Sequence, residues 1–292
     1  MNKKAVLAVS FGTTSMDTLK RSIESTENCF KTAFPGYDVY RAFTSQAVIE
    51  KLAEQSQMQV DSVGTALKRL AAAGYGEVYI QPLFIVADKT YTHIKEYVTG
   101  LVHSKEKEFK KITIGRPLLL SMGLKEHPDD YSIAIEAVRT QVPELGSGKA
   151  VVFMCNGSNQ MEYAILQLKL ADAGIKNAFV YTAEGYPAFE SVLRQLKETG
   201  AEEIIVVPFV FAGSEHLMKY LAGDNPDSPK SRLEAAGYKV SLFKKGLGEN
   251  PAIQAIYVQH LKDAMLALEM RHGHHKLSVH GAKHTAHHHG HK

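Results

Sequence analysis

Val9-Ser10-Phe11-Gly12-Thr13 has a counterpart in Met154-Cys155-Asn156-Gly157-Ser158. Val39-Tyr40-Arg41-Ala42-Phe43 is matched by Val180-Tyr181-Thr182-Ala183-Glu184, and Gln81-Pro82-Leu83-Phe84-Ile85 by Val207-Pro208-Phe209-Val210-Phe211. The three matches fall in the same order, after the first, second and third apolar run of each half. One such match is chance; three in register imply two domains of similar fold. Gly123, His127 and Pro128 interrupt the pattern and place the boundary near Ser121–Asp130.

The short apolar runs read as buried strands at Ala5–Ser10, Asp38–Ala42, Val78–Gln81, Ile112–Ile114, Ala150–Met154, Ala178–Tyr181, Ile204–Val207 and Val240–Leu242. Amphipathic segments between them read as helices, among them Met16–Thr32, Gln46–Glu54, Val60–Ala73, Ile133–Gln141, Met161–Ala173, Ala188–Thr199 and Ile253–Leu268. Buried strands separated by helices of about 10–15 residues are βαβ units, hence parallel sheets with right-handed crossovers. Glycines at 74, 174, 200 and 237 stop helices just before strands. The expected class is α/β, with two similar Rossmann-like domains whose parallel sheets are flanked by helices.

At 292 residues the chain has room for two domains with real cores. Its 45% apolar and 22% charged residues are those of a soluble globular protein. The formal charge of +3 is local in origin: four of the 34 Lys and Arg lie in residues 271–292 against none of the 31 acids, leaving the body at −1. A near-neutral body argues against nucleic acid as a partner. Cys29 and Cys155 alone make no disulfide framework and suit a reducing compartment. The opening MNKKAVLAVSFGTT reads as a first strand rather than a signal peptide, and no apolar run nears the ~20 residues of a membrane span. The expected location is the cytoplasm.

In open parallel sheets, ligands bind beyond the carboxyl ends of the strands. There the first half carries Phe11, Phe43 and Thr90, and the second half Asn156, Glu184 and His216. Alone, Glu184 reads as a solvated loop carboxylate, and His216 as a polar residue in a first helical turn capped by Ser214. Together they form a carboxylate–imidazole pair suited to a divalent transition metal or to proton transfer. Asn156 is a poor metal ligand and no base, and before Gly157 it also suits a turn. Cys155 reads as core. The loops Gly12-Thr13-Thr14 and Gly157-Ser158-Asn159 precede helices, where free N–H groups bind anions. Neither fits a dinucleotide or P-loop pattern, so no organic cofactor is expected.

Nine of the fourteen histidines lie between His272 and His291, interleaved with Gly, Lys, Ala and Thr. A segment with no apolar side chain larger than Ala after Val279 cannot pack a core and is expected to be disordered. Its imidazoles would collect Ni²⁺, Co²⁺, Cu²⁺ or Zn²⁺ with little selectivity.

From about residue 4 to 268 the chain resembles the anaerobic-type (class II) sirohydrochlorin cobaltochelatases of the chelatase-like superfamily. The resemblance rests on Val9–Thr13, Tyr40-Arg41-Ala42-Phe43-Thr44-Ser45, Val151-Val152-Phe153-Met154, Glu184-Gly185-Tyr186-Pro187, Ala212-Gly213-Ser214-Glu215-His216 and, most specifically, Gly246-Leu247-Gly248-Glu249-Asn250-Pro251-Ala252-Ile253. It implies a ligand cleft between chelatase-type domains at 1–126 and 127–250, the latter carrying the metal site. It also implies a helix at 251–270 packing back across the molecule, before the histidine-rich 271–292. The family's metal site is a His, Glu, His set. Glu184 and His216 match two of its members, while Asn156 stands where the family usually has the first histidine.

The activity so implied is insertion of Co²⁺ into sirohydrochlorin or precorrin-2 for cobalamin synthesis, weakened by Asn156. Glu184 and His216 would be metal ligands, and with Asn156 the catalytic set. Phe11 and Phe43 would face the macrocycle, and Arg41 and Lys89 would meet its carboxylates. The partners implied are a tetrapyrrole and a divalent metal, Co²⁺ with Ni²⁺ or Fe²⁺ as rivals, and a homo-oligomer is left open. A different reading makes the chain a non-catalytic carrier of tetrapyrrole or metal.

Overall fold

The computed structural model describes residues 3–104, 108–124, 127–142, 144, 146–157, 161–213, 217, 220–221 and 225–281. Among these, nine strands form two wholly parallel sheets. Strands β1 (Lys3–Ser10), β2 (Asp38–Phe43), β3 (Asp61–Ser62), β4 (Tyr75–Pro82) and β5 (Lys111–Ile114) make the first, in the order β3-β2-β1-β4-β5. Strands β6 (Lys149–Cys155), β7 (Ala178–Thr182), β8 (Glu203–Pro208) and β9 (Lys239–Leu242) make the second, in the order β7-β6-β8-β9. All eight strands expected from the apolar runs are present. Helices cover both faces of such sheets, which is why β1 and β6 are apolar without alternation and almost wholly buried.

The internal repeat is a repeat of topology. Leaving aside the two-residue β3, the first strand of each half lies between the second and third, as β2-β1-β4 and as β7-β6-β8. Val9 pairs with Pro82 as its counterpart Met154 pairs with Pro208, but on the other side the registers differ by two: Val9 pairs with Ala42 and Met154 with Tyr181, the motif counterpart of Tyr40. The backbone bonds just past the third strand recur as well. Leu83 N donates to Val9 O and Phe209 N to Met154 O, both at 2.7 Å. Leu118 and Leu119 N donate to Phe84 and Ile85 O, as Leu247 and Gly248 N donate to Val210 and Phe211 O.

The helices follow the expected order: α1 (Met16–Thr18), α2 (Ser25–Ala33), α3 (Gln46–Ser56), α4 (Val63–Ala72), α5 (Lys89–His103), α6 (Asp130–Val138), α7 (Met161–Asp172), α8 (Phe189–Leu196), α9 (Pro229–Ala235) and α10 (Pro251–Gly281). Residues Leu19–Glu24, between α1 and α2, wind as a π-type turn. The helix expected from Val60 begins at Val63, because Asp61 and Ser62 pair with Ala42 and Phe43 and the Ser62 hydroxyl caps the helix.

One apolar core runs from Val6 and Ala8 of β1 to Val151 and Phe153 of β6, and takes in Ile253, Tyr257 and Leu261 of α10. Polar contacts recur along the same face of α10. Asn250, just ahead of it, donates to Ala137 O (2.8 Å), and Gln254 donates to Gly248 O (2.7 Å) and Ser25 Oγ (2.9 Å). Tyr257 donates to Phe84 O (2.9 Å). His260 lies 3.2 Å from Arg116 O and 3.3 Å from Asp130 Oδ1, and Arg116 donates to Asp263 (2.6 Å). Spacings of three and four keep these residues on one face. The helix thus reaches from the segment following β9 to β4 and β5 of the first sheet.

This helix corrects one expectation. Residues 271–281, read as disordered from their composition, continue α10, since extending a formed helix adds one hydrogen bond per residue without a new nucleus. Residues 282–292 lie outside the described residues.

Candidate functional site at the strand exits of the second sheet

Cys155 and Thr182 are register partners at the ends of β6 and β7, with Ala183 N donating to Cys155 O (3.3 Å). Parallel strands lie about 4.8 Å apart. Asn156 and Glu184, one and two residues further on, therefore leave the sheet from adjacent points. Both are exposed. Asn156 is tethered through its carbonyl, which accepts from the buried Tyr163 hydroxyl of α7 (3.0 Å). Glu184 stands in a short loop closed by Thr182 N donating to Pro187 O (2.9 Å).

On its other side β6 pairs with β8, Met154 opposite Pro208. The chain leaving β8 leads to Phe211-Ala212-Gly213 and then to His216, which lies outside the described residues. The strand bearing Asn156 thus lies between that of Glu184 and that leading to His216. Among the described residues, no three His, Cys, Asp or Glu side chains gather at one point.

The segment ahead of His216 is clamped from below. A Cβ on Gly246 would lie 2.6 Å from Phe211 O and 2.9 Å from Gly213 N; one on Gly248 would lie 2.8 Å from the Phe211 ring. The glycines of Gly246-Leu247-Gly248 are therefore required by close backbone approach. Glu249 Oε1 accepts from Gly246 N (3.3 Å), and its other oxygen lies 3.2 Å from Arg21.

The substrate-facing residues expected in the first half divide. Phe11, just past β1, is 66% exposed, and Lys89 is exposed at the start of α5, after the Asp88 cap. Phe43 and Arg41 correct the expectation. Phe43 is fully buried, with its ring where a Gly12 Cβ would stand (2.6 Å), so it offers no surface to a macrocycle. Arg41 is held by Glu27 through two hydrogen bonds (2.7 and 2.6 Å) and lies 3.4 Å from Glu24. Its charge is met within the protein. Cys155 is core as expected, and burial pushes its thiol well above the ordinary range.

Exposed apolar side chains follow strands of both sheets: Phe11 after β1, Met161, which opens the helix after β6, and Tyr186 in the Glu184 loop. Exposed apolar side chains of this size suit contact with a flat ring. A cavity of about 260 Å³ is lined by Thr182, Ala183, Gly185, Phe189, Glu190 and Arg232. Arg232 bonds Glu190 (2.8 Å) and lies 4.4 Å from the Phe189 ring centroid. A larger groove of about 720 Å³ runs along α10 by Ile114, at the end of β5, and by Arg116, Ile133 and His260.

The family model described as cobalt chelatase (CbiK) matches residues 4–266. A sirohydrochlorin cobaltochelatase of Salmonella typhimurium is 35% identical over 265 residues, covering 90% of this chain and 97% of the relative. The sirohydrochlorin cobaltochelatase CbiKC of Nitratidesulfovibrio vulgaris is 28% identical over 276 residues, covering 92% and 93%. Among solved structures, a multi-domain Deinococcus radiodurans protein with structural similarity to chelatases superposes with a TM-score of 0.58 (15% identity; 89% of this chain and 55% of that one). CbiX, the terminal enzyme of siroheme biosynthesis in denitrifying bacteria, superposes with a TM-score of 0.51 (18% identity; 89% and 99%). These two likenesses establish the chelatase fold.

Proposed function

Because the chain belongs to the cobalt chelatase (CbiK) family, we propose that it inserts Co²⁺ into sirohydrochlorin, with the chemistry at the strand exits of the second sheet. The observation that carries the reading is topological. Asn156 and Glu184 stand one and two residues past the paired ends of β6 and β7, and β8, the strand leading to His216, lies on the other side of β6.

Insertion exchanges one Co²⁺ for the two pyrrole protons of the ring. It needs an ion held loosely in an open site, a ring whose nitrogens face that ion, and an acceptor for the protons. In this reading Glu184 and His216 hold the ion, and as it passes to the ring each takes up one of the two displaced pyrrole protons. Asn156 offers only its side-chain carbonyl oxygen, to the metal or to a metal-bound water. An oxygen in place of an imidazole weakens binding of Co²⁺ or Ni²⁺ more than that of a hard ion such as Mg²⁺. Since the ion must be handed on, a weaker site slows the reaction without abolishing it. Phe11, Met161 and Tyr186 supply apolar surface to the macrocycle, and Lys89 meets a peripheral carboxylate. The reading places the protein in the cytoplasm, in cobalamin synthesis, with the metal as substrate and no organic cofactor.

The test is stoichiometry under anaerobic conditions, followed through the sirohydrochlorin spectrum with excess Co²⁺. An enzyme forms metallated product beyond its own concentration. Product that stops at one equivalent would identify a carrier, and Ni²⁺ or Fe²⁺ inserted faster than Co²⁺ would reassign the metal.

A further inference from the structure

The hydroxyl of Tyr257 donates to Phe84 O (2.9 Å), and its ring meets the ring of Phe211 edge to face, with centroids 5.5 Å apart at 84°. Phe84 and Phe211 belong to the corresponding segments that leave the third strand of each half. Phe84-Ile85 is bonded by Leu118-Leu119, and Val210-Phe211 by Leu247-Gly248, with the same pattern of N–H donors. One residue of α10 thus touches the same loop in both halves. The contact is dry: Tyr257 is fully buried and Phe211 nearly so. It has no slack on the second-half side, where Gly248 leaves no room for a Cβ against the Phe211 ring.

In sequence, each loop is followed by a residue placed in the reaction above. Beyond Phe84 the chain reaches Lys89, and beyond Phe211 it reaches His216. We propose that Tyr257 is a positioning residue for metal insertion: by tying Phe84 to Phe211 it fixes the first half, with Phe11 and Lys89 toward the macrocycle, against the second, which holds the ion. This rests on the chelatase reading and adds a residue to it. Insertion requires the ring nitrogens to face the metal, so a small change in this relation lowers turnover more than it lowers binding of either substrate.

The test is Tyr257→Phe in the full chain, which removes the bond to Phe84 O and keeps the ring. Its kcat for Co²⁺ insertion is expected to fall about tenfold, with KM for sirohydrochlorin and for Co²⁺ within about twofold, at a temperature where the variant is fully folded. Gly248→Ala, which displaces Phe211 at the other end, should show the same split. Val98→Ala, a cavity in the outer core of the first sheet, should lower Tm and leave kcat unchanged. Unchanged kcat in Tyr257→Phe beside an active wild type, whatever its Tm, overturns the proposal alone. Equal falls in kcat for Tyr257→Phe and Val98→Ala also overturn it, since the effect is then one of general stability. A wild type that does not metallate sirohydrochlorin overturns the chelatase reading, and this proposal with it.

Discussion

The guanidinium of Arg41 grips the carboxylate of Glu27 through Nε and Nη2, at 2.7 and 2.6 Å, in a contact where both side chains are largely buried. A bidentate pair of this geometry is held firmly, and its charge is not free for a substrate. Arg41→Ala leaves the Glu27 carboxylate unpaired, and the expected cost is about 3 kcal/mol of stability. It should appear as a lowered denaturation midpoint, with KM for sirohydrochlorin within about twofold of wild type in the folded variant. A large rise in KM at unchanged stability would return Arg41 to the substrate site.

Phe11 is the opposite case. Its side chain is mostly in solvent, so Phe11→Ala should leave Tm unchanged. If the ring covers the macrocycle, its loss should raise KM for sirohydrochlorin by roughly tenfold, since burying a phenyl group is worth ~1.5–3 kcal/mol. Steady-state kinetics with saturating Co²⁺ make the measurement.

The buried Asp130 gives a pH dependence whose sign is fixed. Burial raises its pKa, but the His260 ring, the Ser121 N–H and Arg116 more than offset this and hold it below the ordinary carboxylate value. A depressed carboxylate binds fewer protons folded than unfolded. Its stabilisation is therefore complete above the unfolded value of about 3.9 and is lost as pH falls through the folded one. Denaturation midpoints should fall with acidification below about pH 4. In Asp130→Asn that slope should be flatter, on a lower plateau at neutral pH.

Asn156→His restores an imidazole to the middle strand. Affinity for Co²⁺ in the absence of tetrapyrrole should rise about tenfold or more, while affinity for Mg²⁺ changes little. Turnover should rise by less than affinity, because the ion must also be released. Isothermal titration beside the spectral assay measures both.

Much of the fold could be read from the chain because the strands are buried on both faces. Runs such as Ala150–Met154 then stand out without any need for alternation, and strand ends flank the paired motifs. The repeat also singled out Asn156 and Glu184, which stand one and two residues past the paired ends of the neighbouring strands β6 and β7. The same device misled at Arg41 and Phe43. A residue's place at a strand end does not tell which way its side chain turns, and both turn into the helices packed on that face. A hint was present in Glu24 and Glu27, three apart on the preceding helix, where one helical face can clasp a cation. The contacts of Tyr257 with Phe84 and of His260 with Arg116 and Asp130 were not legible. Each joins residues more than a hundred positions apart, and only the shared face of Tyr257 and His260 on α10 hinted at a role.

The most direct measurement is anaerobic turnover of sirohydrochlorin and Co²⁺ by the wild type and Glu184→Gln side by side. Gln keeps the size of the side chain and removes its charge and its basicity. The loop that carries residue 184 is exposed, so folding should be unchanged. The account predicts many turnovers by the wild type and a loss of about 100-fold or more in kcat for the variant. Equal rates for the two would contradict it and would move the proton acceptor away from the exits of β6 and β7.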